Sequence, residues 1–147
     1  MHNYEINSNI FKNYTKDEKI KIKYEINKML TCENNHDIHF TDNELQTIFN
    51  SSHPIYFGKG NDSSANSASK SLKIALNNAI MENCTLNDTK EILVHFTMHP
   101  DYPILDIANA MEIIEEDINK DTVVICGTKT SIDFKKNYVK VIIILKY

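Results

Sequence analysis

A short stretch near the N-terminus holds side chains that could ligate a metal ion. Cys32, His36, His39 and Asp42 follow one another at spacings of four, three and three residues. Thiolate, imidazole and carboxylate groups are the usual protein ligands of zinc. The four residues fall in one polar stretch, however, and no second cluster of ligands follows it. We therefore expect no metal here, although the spacing alone leaves the question open.

The chain contains no complete nucleotide-binding motif. Gly58 and Gly60 form a Gly-x-Gly pair, but the third glycine of a dinucleotide fingerprint would fall at Ser63. The sequence has three glycines in all and no Gly-Lys-Ser/Thr phosphate loop. We interpret Gly58 and Gly60 as turn residues, and we expect no cofactor and no nucleotide. His95 and His99 are interpreted as surface or structural residues.

Composition excludes several classes of function. The formal charge is −4, and all 16 basic residues are lysines. Because arginine supplies the planar fork that recognises phosphate and guanine, nucleic-acid binding is not expected. The longest apolar run, residues 141–145, is far shorter than the about 20 residues of a membrane span. No signal-peptide pattern opens the chain, so we expect a cytoplasmic protein without a membrane association.

The pattern of apolar residues predicts one domain with alternating helices and strands. Thr15 and Glu18 form a capping box, which favours a helix over residues 16–30 although the isoleucines there also alternate as in a strand. The elements predicted after it are a short helix over 44–49, a strand over 54–58, a helix from Ser63 or Ser64, a strand over 91–97, a helix opening at Pro103, and strands over 122–128 and 138–147.

This order predicts a two-layer α/β sandwich. It runs β-α-β-α-β-β from residue 54, as a mixed four-stranded sheet with two helices on one face, preceded by an N-terminal helix. Two crossovers predict parallel pairing of consecutive strands, strand 122–128 is expected to be buried on both faces or central, and the last two strands can pair antiparallel. The residues predicted to form the core between helices and sheet are Ala68, Leu72, Leu76, Ile107, Met111, Ile114, Ile55, Val94, Val124 and Val141.

Several segments, taken in order, resemble the FtsZ/tubulin family. Residues 95–101 match the length of its Asn-Ile-Thr-Gly-Gly-Pro-Asp turn and share its Thr, Pro and Asp, which implies that Pro100 and Asp101 are turn residues. Residues 124–128 are similar to its Ile-Ile-Phe-Gly-Thr strand, and residues 139–143 to its Val-Arg-Val-Thr-Val strand. The resemblance implies an N-terminal extension and helix over residues 1–36, like the end of the family's central helix, and an FtsZ C-terminal-domain-like domain over 37–147.

Residues 37–42 resemble the family's synergy loop, Asn-x-Asp-Phe-Ala-Asp. In the family this loop reaches into the nucleotide pocket of the neighbouring subunit. The resemblance therefore implies that Asp37, His39, Phe40 and Asp42 bind a partner. His39 stands where the family has an acidic residue, and the glycine-rich phosphate loop is not among these 147 residues.

The resemblance thus implies a non-enzymatic interaction module in bacterial cell division. Its expected partner is a full-length FtsZ or a similar filament protein, which it would bind or cap. Two alternatives remain, because a fold alone does not establish a function. One is a small enzyme or ligand-binding domain that reuses the fold, and the other is a structural remnant that self-associates as a homo-oligomer.

Overall fold

The computed structural model describes residues 11–31, 37–50, 53–80 and 84–147. Four helices and four strands lie within these ranges, together with a 3₁₀ turn over Leu86–Asp88. In chain order they are α1 (Lys16–Leu30), α2 (Asp42–Phe49), β1 (Ile55–Asp62), α3 (Ser67–Ala79), β2 (Glu91–Met98), α4 (Ile104–Glu115), β3 (Val123–Thr130) and β4 (Val139–Lys146). Of the helices in the described part of the chain, none has the length and apolar character needed to span a membrane.

Helices α1 and α2 begin at matching caps. Thr15 Oγ1 accepts a hydrogen bond from the Glu18 amide at 3.2 Å, and the Thr15 amide donates to Glu18 Oε1 at 2.9 Å. Thr41 and Glu44 repeat this arrangement at the start of α2. Each cap satisfies backbone N–H groups that the first turn of a helix leaves unpaired. The predicted helix over 16–30 is confirmed, and α2 starts before the predicted Glu44 because Thr41 is its cap.

Helix α3 begins at Ser67 rather than at the predicted Ser63 or Ser64. Asp62 Oδ2 accepts hydrogen bonds from both the amide and the hydroxyl of Ser64, which holds these residues in a turn. Asn66 follows with a φ of 59°, in the left-handed region that asparagine tolerates better than most residues. The helix therefore starts only after this turn.

The sheet has the strand order β1-β4-β2-β3. Strand β4 pairs antiparallel with both β1 and β2, and β2 pairs parallel with β3. The mixed four-stranded sheet is therefore confirmed, but three details of its pairing were predicted wrongly. Strand β4 pairs with β1 and β2 instead of β3, it separates β1 from β2, and β3 lies at an edge. The physical reason is that β4 is apolar on both faces. A central position in the sheet removes more of its apolar surface from water than an edge position would, which stabilises the fold.

Helices cover both faces of the sheet. Helices α3 and α4 pack on one face, as predicted, in a core that includes Leu72, Leu76, Ile107, Ile114 and strand residues such as Val94 and Val141. Helices α1 and α2 pack on the other face and add a layer, with a second core made by Phe11, Ile22, Ile26, Met29, Leu45, Ile48, Phe49, Ile55, Leu93, Ile142 and Ile144. Ile55 therefore faces α1 and α2, which corrects its predicted place in the core beneath α3 and α4.

Gly58 and Gly60 lie inside β1, so their interpretation as turn residues is wrong. A Cβ atom on Gly58 would lie 1.9 Å from the carbonyl oxygen of Ala75, and one on Gly60 would lie 2.3 Å from that of Ser71. Both distances are far below van der Waals contact. The two glycines allow the backbone of α3 to approach the strand, which is a known reason for glycine within a strand.

Glu25 links α1 to the sheet by charge. Its carboxylate lies 2.6 Å from the Lys140 ammonium of β4 and 3.3 Å from that of Lys59 on β1. Burial alone would raise the pKa of Glu25, but the hydrogen bond and charge of Lys140 hold this pKa below its ordinary value. The ionised carboxylate is therefore the favoured form in the folded chain.

We predict that Leu76→Ala lowers the free energy of unfolding by about 2–5 kcal/mol, the usual cost of a large-to-small change in a core. Leu76 is buried between α3 and the sheet. Ile74 on the same helix is 42% exposed, and Ile74→Ala is the matched control, with an expected loss below about 1 kcal/mol. Urea unfolding followed by circular dichroism measures both. Equal losses in the two variants would contradict the assigned core.

Candidate partner-binding site

The segment of residues 37–40 lies against the edge of strand β3. The Ile38 amide donates to Thr128 Oγ1 at 3.0 Å, and the Thr128 amide donates to the Ile38 carbonyl at 2.9 Å. An edge strand otherwise presents unpaired backbone groups. The segment therefore covers part of the edge of β3 and takes its own position from it.

Asp37 anchors the start of this segment. Its side chain is buried, and its Oδ1 accepts hydrogen bonds from the amide of Thr130 at 2.9 Å and from the Thr130 hydroxyl at 2.8 Å. Its second oxygen, Oδ2, is also buried and has no hydrogen-bond partner among the described residues. Asp37 points into the protein and holds the segment in place.

Phe40 is the second anchor. Its half-buried ring packs over Gly127 of β3, where a Cβ atom would come within 2.7 Å of Phe40 Cζ. The ring also contacts the imidazole of His95 on β2, with ring centroids 5.8 Å apart. Gly127 thus provides the space in which the ring of Phe40 lies.

His95 lies buried beneath this segment. Burial, together with the charges of Lys129 and Lys140, lowers the pKa of His95 to about 3. The imidazole is therefore neutral at physiological pH. Its Nδ1 is buried without a hydrogen-bond partner in the described part of the chain. His95 was not predicted to belong to the site, since its position in the sequence indicates only a surface or structural histidine.

His39 and Asp42 are exposed. Asp42 is the first residue of α2, directly after the Thr41 cap, where a carboxylate interacts favourably with the helix dipole. The structure thus divides the four residues predicted to bind a partner into two pairs. Asp37 and Phe40 fix the segment on β3, and His39 and Asp42 face solvent.

A cleft of about 240 Å³ opens between this segment, the end of α1 and the sheet. It is lined by Met29, Leu30, Thr31, Asp37, Ile38, His39, Phe40, Asp42, Leu45, His95, Thr128 and Lys129. Two of these side chains, Asp37 and His95, have the unpaired buried atoms described above. A group that reached either atom would therefore satisfy a hydrogen bond that the protein itself leaves unmade.

The cluster of candidate metal ligands is only partly described. Cys32 and His36 lie outside the described residues, while His39 and Asp42 lie on the surface. Within residues 11–31, 37–50, 53–80 and 84–147, no three His, Cys, Asp or Glu side chains are grouped as a metal ion would require. The domain boundary predicted after residue 36 stays a prediction.

Pro100 and Asp101 lie in the turn between β2 and α4. The Tyr102 amide donates to the His99 carbonyl at 3.0 Å, and the Asp101 amide donates to His99 Nδ1 at the same distance. The hydroxyl of Tyr102 accepts a hydrogen bond from the amide of Ala68 at 3.1 Å. The turn therefore also supports the first turn of α3.

The comparison with known proteins agrees with this architecture. A model of the FtsZ family, C-terminal domain, matches residues 55–146. The cell division proteins FtsZ of two Helicobacter pylori strains are 26% identical to the chain over 119 residues, which make up 81% of this chain and 30% of theirs. The chain therefore spans less than a third of the length of these relatives.

Two solved structures share the fold. An empty FtsZ dimer from M. jannaschii matches with a TM-score of 0.67 at 15% identity, over 95% of this chain and 42% of that one. GDP-form protofilaments of TubZ from Bacillus thuringiensis serovar israelensis match with a TM-score of 0.63 at 11% identity, over 88% of this chain and 35% of that one. The fold is thus that of the FtsZ C-terminal domain. On the match of the family model, the chain belongs to the FtsZ family through this domain.

We predict that Gly127→Ala releases the segment from β3, because the new methyl group displaces the ring of Phe40. Overpacking of this kind costs about 1–3 kcal/mol, so the exchange of the Ile38 amide hydrogen should accelerate about tenfold or more. Hydrogen exchange followed by NMR measures this. Cys126→Ala, at the next position and facing α3 and α4, is the control and should leave the exchange of Ile38 unchanged. Equal exchange rates in the two variants would contradict the anchoring role.

Proposed function

We propose that this chain is a non-enzymatic module of cell division that binds the end of a filament of full-length FtsZ or a similar protein. The observation that supports this most directly is the arrangement of residues 37–42. Asp37 and Phe40 hold the segment firmly on the edge of β3, and His39 and Asp42 project from it. A segment that is already ordered loses little conformational entropy when it binds.

The proposed contact is based on the way in which subunits meet in the filaments of the family. In filaments of the FtsZ/tubulin type, the nucleotide face of one subunit meets the synergy-loop face of the next. The segment over residues 37–42 corresponds to the second of these faces. The matched region is the C-terminal domain, which does not hold the GTPase site of the family.

The chemistry of the segment favours docking over catalysis. Asp42 retains a carboxylate, which in the family's loop acts on a water molecule, and one carboxylate is enough to orient a water. His39 replaces the other acidic residue of that loop. We infer that the segment enters the nucleotide face of a partner subunit without the full set of groups that hydrolysis needs.

Such a contact would cap the filament. These 147 residues offer a synergy-loop-like face and contain no phosphate-binding loop, so on their own they would occupy one filament end without presenting a nucleotide face to the next subunit. Filament ends are few compared with subunits. The effect on assembly should therefore appear well below an equimolar ratio.

We predict that these 147 residues alone do not bind GTP or GDP, because they contain no phosphate-binding loop. Isothermal titration calorimetry at about millimolar nucleotide should give only the heat of dilution, as expected for a Kd weaker than about 1 mM. A Kd in the micromolar range would contradict the proposed role and favour a nucleotide-binding protein.

We predict that the chain inhibits the GTP-dependent assembly of its cognate FtsZ at about one-twentieth of an equivalent, and that Asp42→Asn and His39→Ala relieve this inhibition. Both side chains are exposed, so the variants should fold normally. Light scattering measures assembly. Asp133→Asn, an exposed carboxylate in the turn between β3 and β4, is the control and should inhibit like the wild type.

Two outcomes would overturn this proposal. Assembly that is unchanged up to one equivalent of the wild-type chain would exclude capping. Inhibition that persists in both His39→Ala and Asp42→Asn would place the contact on another surface.

A further inference from the structure

The outer side of helix α1 exposes two large apolar side chains. Ile20 is 59% exposed and Tyr24 is 63% exposed, at a spacing of four residues that aligns them along the helix. Lys16 and Lys28 extend the same row at each end, and both are exposed. We call these four residues the α1 ridge. None of the ion pairs found among the described residues uses Lys16 or Lys28.

A groove of about 470 Å³ lies beside the α1 ridge, between α1 and strand β1. Its floor and walls are mainly apolar, and charged side chains stand around them; the lining residues are Ile20, Lys21, Ile22, Tyr24, Glu25, Phe57 and Lys59. Exposed apolar surface next to a groove, with a charged rim, is typical of a protein-binding site.

Helix α4 has a surface of the opposite charge. Ile104 is 67% exposed and Leu105 is 68% exposed at its N-terminal end. From Ile104, exposed residues continue at a spacing of four through Ala108 and Glu112 to Glu116. We call the row Ile104, Ala108, Glu112 and Glu116 the α4 ridge. Like the α1 ridge it combines apolar and charged residues, but the charges are negative.

The two ridges cannot meet within one molecule. Helix α1 packs on one face of the sheet and α4 packs on the opposite face. Complementary surfaces on opposite faces of one chain can meet only between copies, and a pair joined in this way still has one free α1 ridge and one free α4 ridge. Such a contact is heterologous and does not close into a symmetric dimer.

We propose that copies of this chain associate head to tail, with the α4 ridge of one copy on the α1 ridge of the next. Ile104 and Leu105 enter the apolar groove beside α1, and Glu112 and Glu116, which lie toward the other end of α4, face the lysine at one end of the α1 ridge. We infer that the partner is a second copy of this chain, because the chain itself carries both complementary surfaces. The α4 ridge supplies apolar side chains and carboxylates, and the α1 ridge with its groove supplies an apolar depression and lysines. Helices in globular proteins most often pack so that the ridge formed by residues four apart on one helix fits beside the equivalent ridge of the other helix. This surface is separate from residues 37–42, so the proposal does not depend on the capping function.

Sedimentation velocity from about 10 to about 500 µM protein tests the association. We expect the weight-average sedimentation coefficient to rise about 1.5-fold or more with concentration in about 50 mM NaCl, without a plateau at the dimer. The rise should shrink in about 500 mM NaCl, because salt screens exposed charges. A coefficient that stays at the monomer value in both salts would overturn the proposal. So would a plateau at the dimer, because it indicates a symmetric contact.

Charge reversal tests the surfaces themselves. Lys16→Glu/Lys28→Glu makes both ridges negative, and Glu112→Lys/Glu116→Lys makes both positive, so each variant alone should remain monomeric. Mixed in equal amounts, the two variants again present opposite charges at every contact, and association should return. Lys70→Glu/Lys90→Glu changes the net charge by the same amount outside both ridges and should associate like the wild type. Association of either ridge variant alone, or no association in the mixture, would overturn the proposal.

Discussion

The burial of β4 at the centre of the sheet is the constraint on which the rest of the structure depends. Residues 141–145 are apolar without a break, and every one of them is buried. Alternate side chains of a strand point to opposite faces, so β4 can be covered only if helices pack on both sides. Helices α3 and α4 cover Val141 and Ile143, and α1 and α2 cover Ile142 and Ile144. The third layer of the fold follows directly from this one strand.

The parts of the fold that depend on local rules were predictable from the sequence. The cap at Thr15 and Glu18 correctly indicated α1 over an alternating pattern that also suited a strand. Strand order was not predictable in the same way, because residues 122–128 and 141–145 are both apolar runs and each could have been central. The glycines of β1 were misinterpreted because a sequence does not distinguish a turn from a close approach of a helix that begins at Ser67, seven residues beyond Gly60.

The candidate site was likewise predictable only in part, because its support comes from residues that are distant in the sequence. Resemblance alone identified residues 37–42 as a unit, but it did not indicate which side chains point inward. That division depends on residues that are distant in sequence, since Asp37 is held by Thr130 and Phe40 lies over Gly127 beside His95. The strand order and the support of residues 37–42 are connected, because only an edge strand such as β3 leaves room for the segment to lie against it. Because the predicted strand order did not place β3 at an edge, the contact between β3 and residues 37–42 could not be predicted either.

His95 has a consequence for the behaviour of the whole chain in acid. Its pKa is about 3 in the folded protein, whereas an imidazole in an unfolded chain has a pKa near its ordinary value of 6.5. Between these two values the unfolded chain binds a proton that the folded chain does not, so the folding equilibrium shifts toward the unfolded state as the pH falls. Acid unfolding of this domain therefore begins where histidine titrates, at a milder pH than carboxylates alone would set.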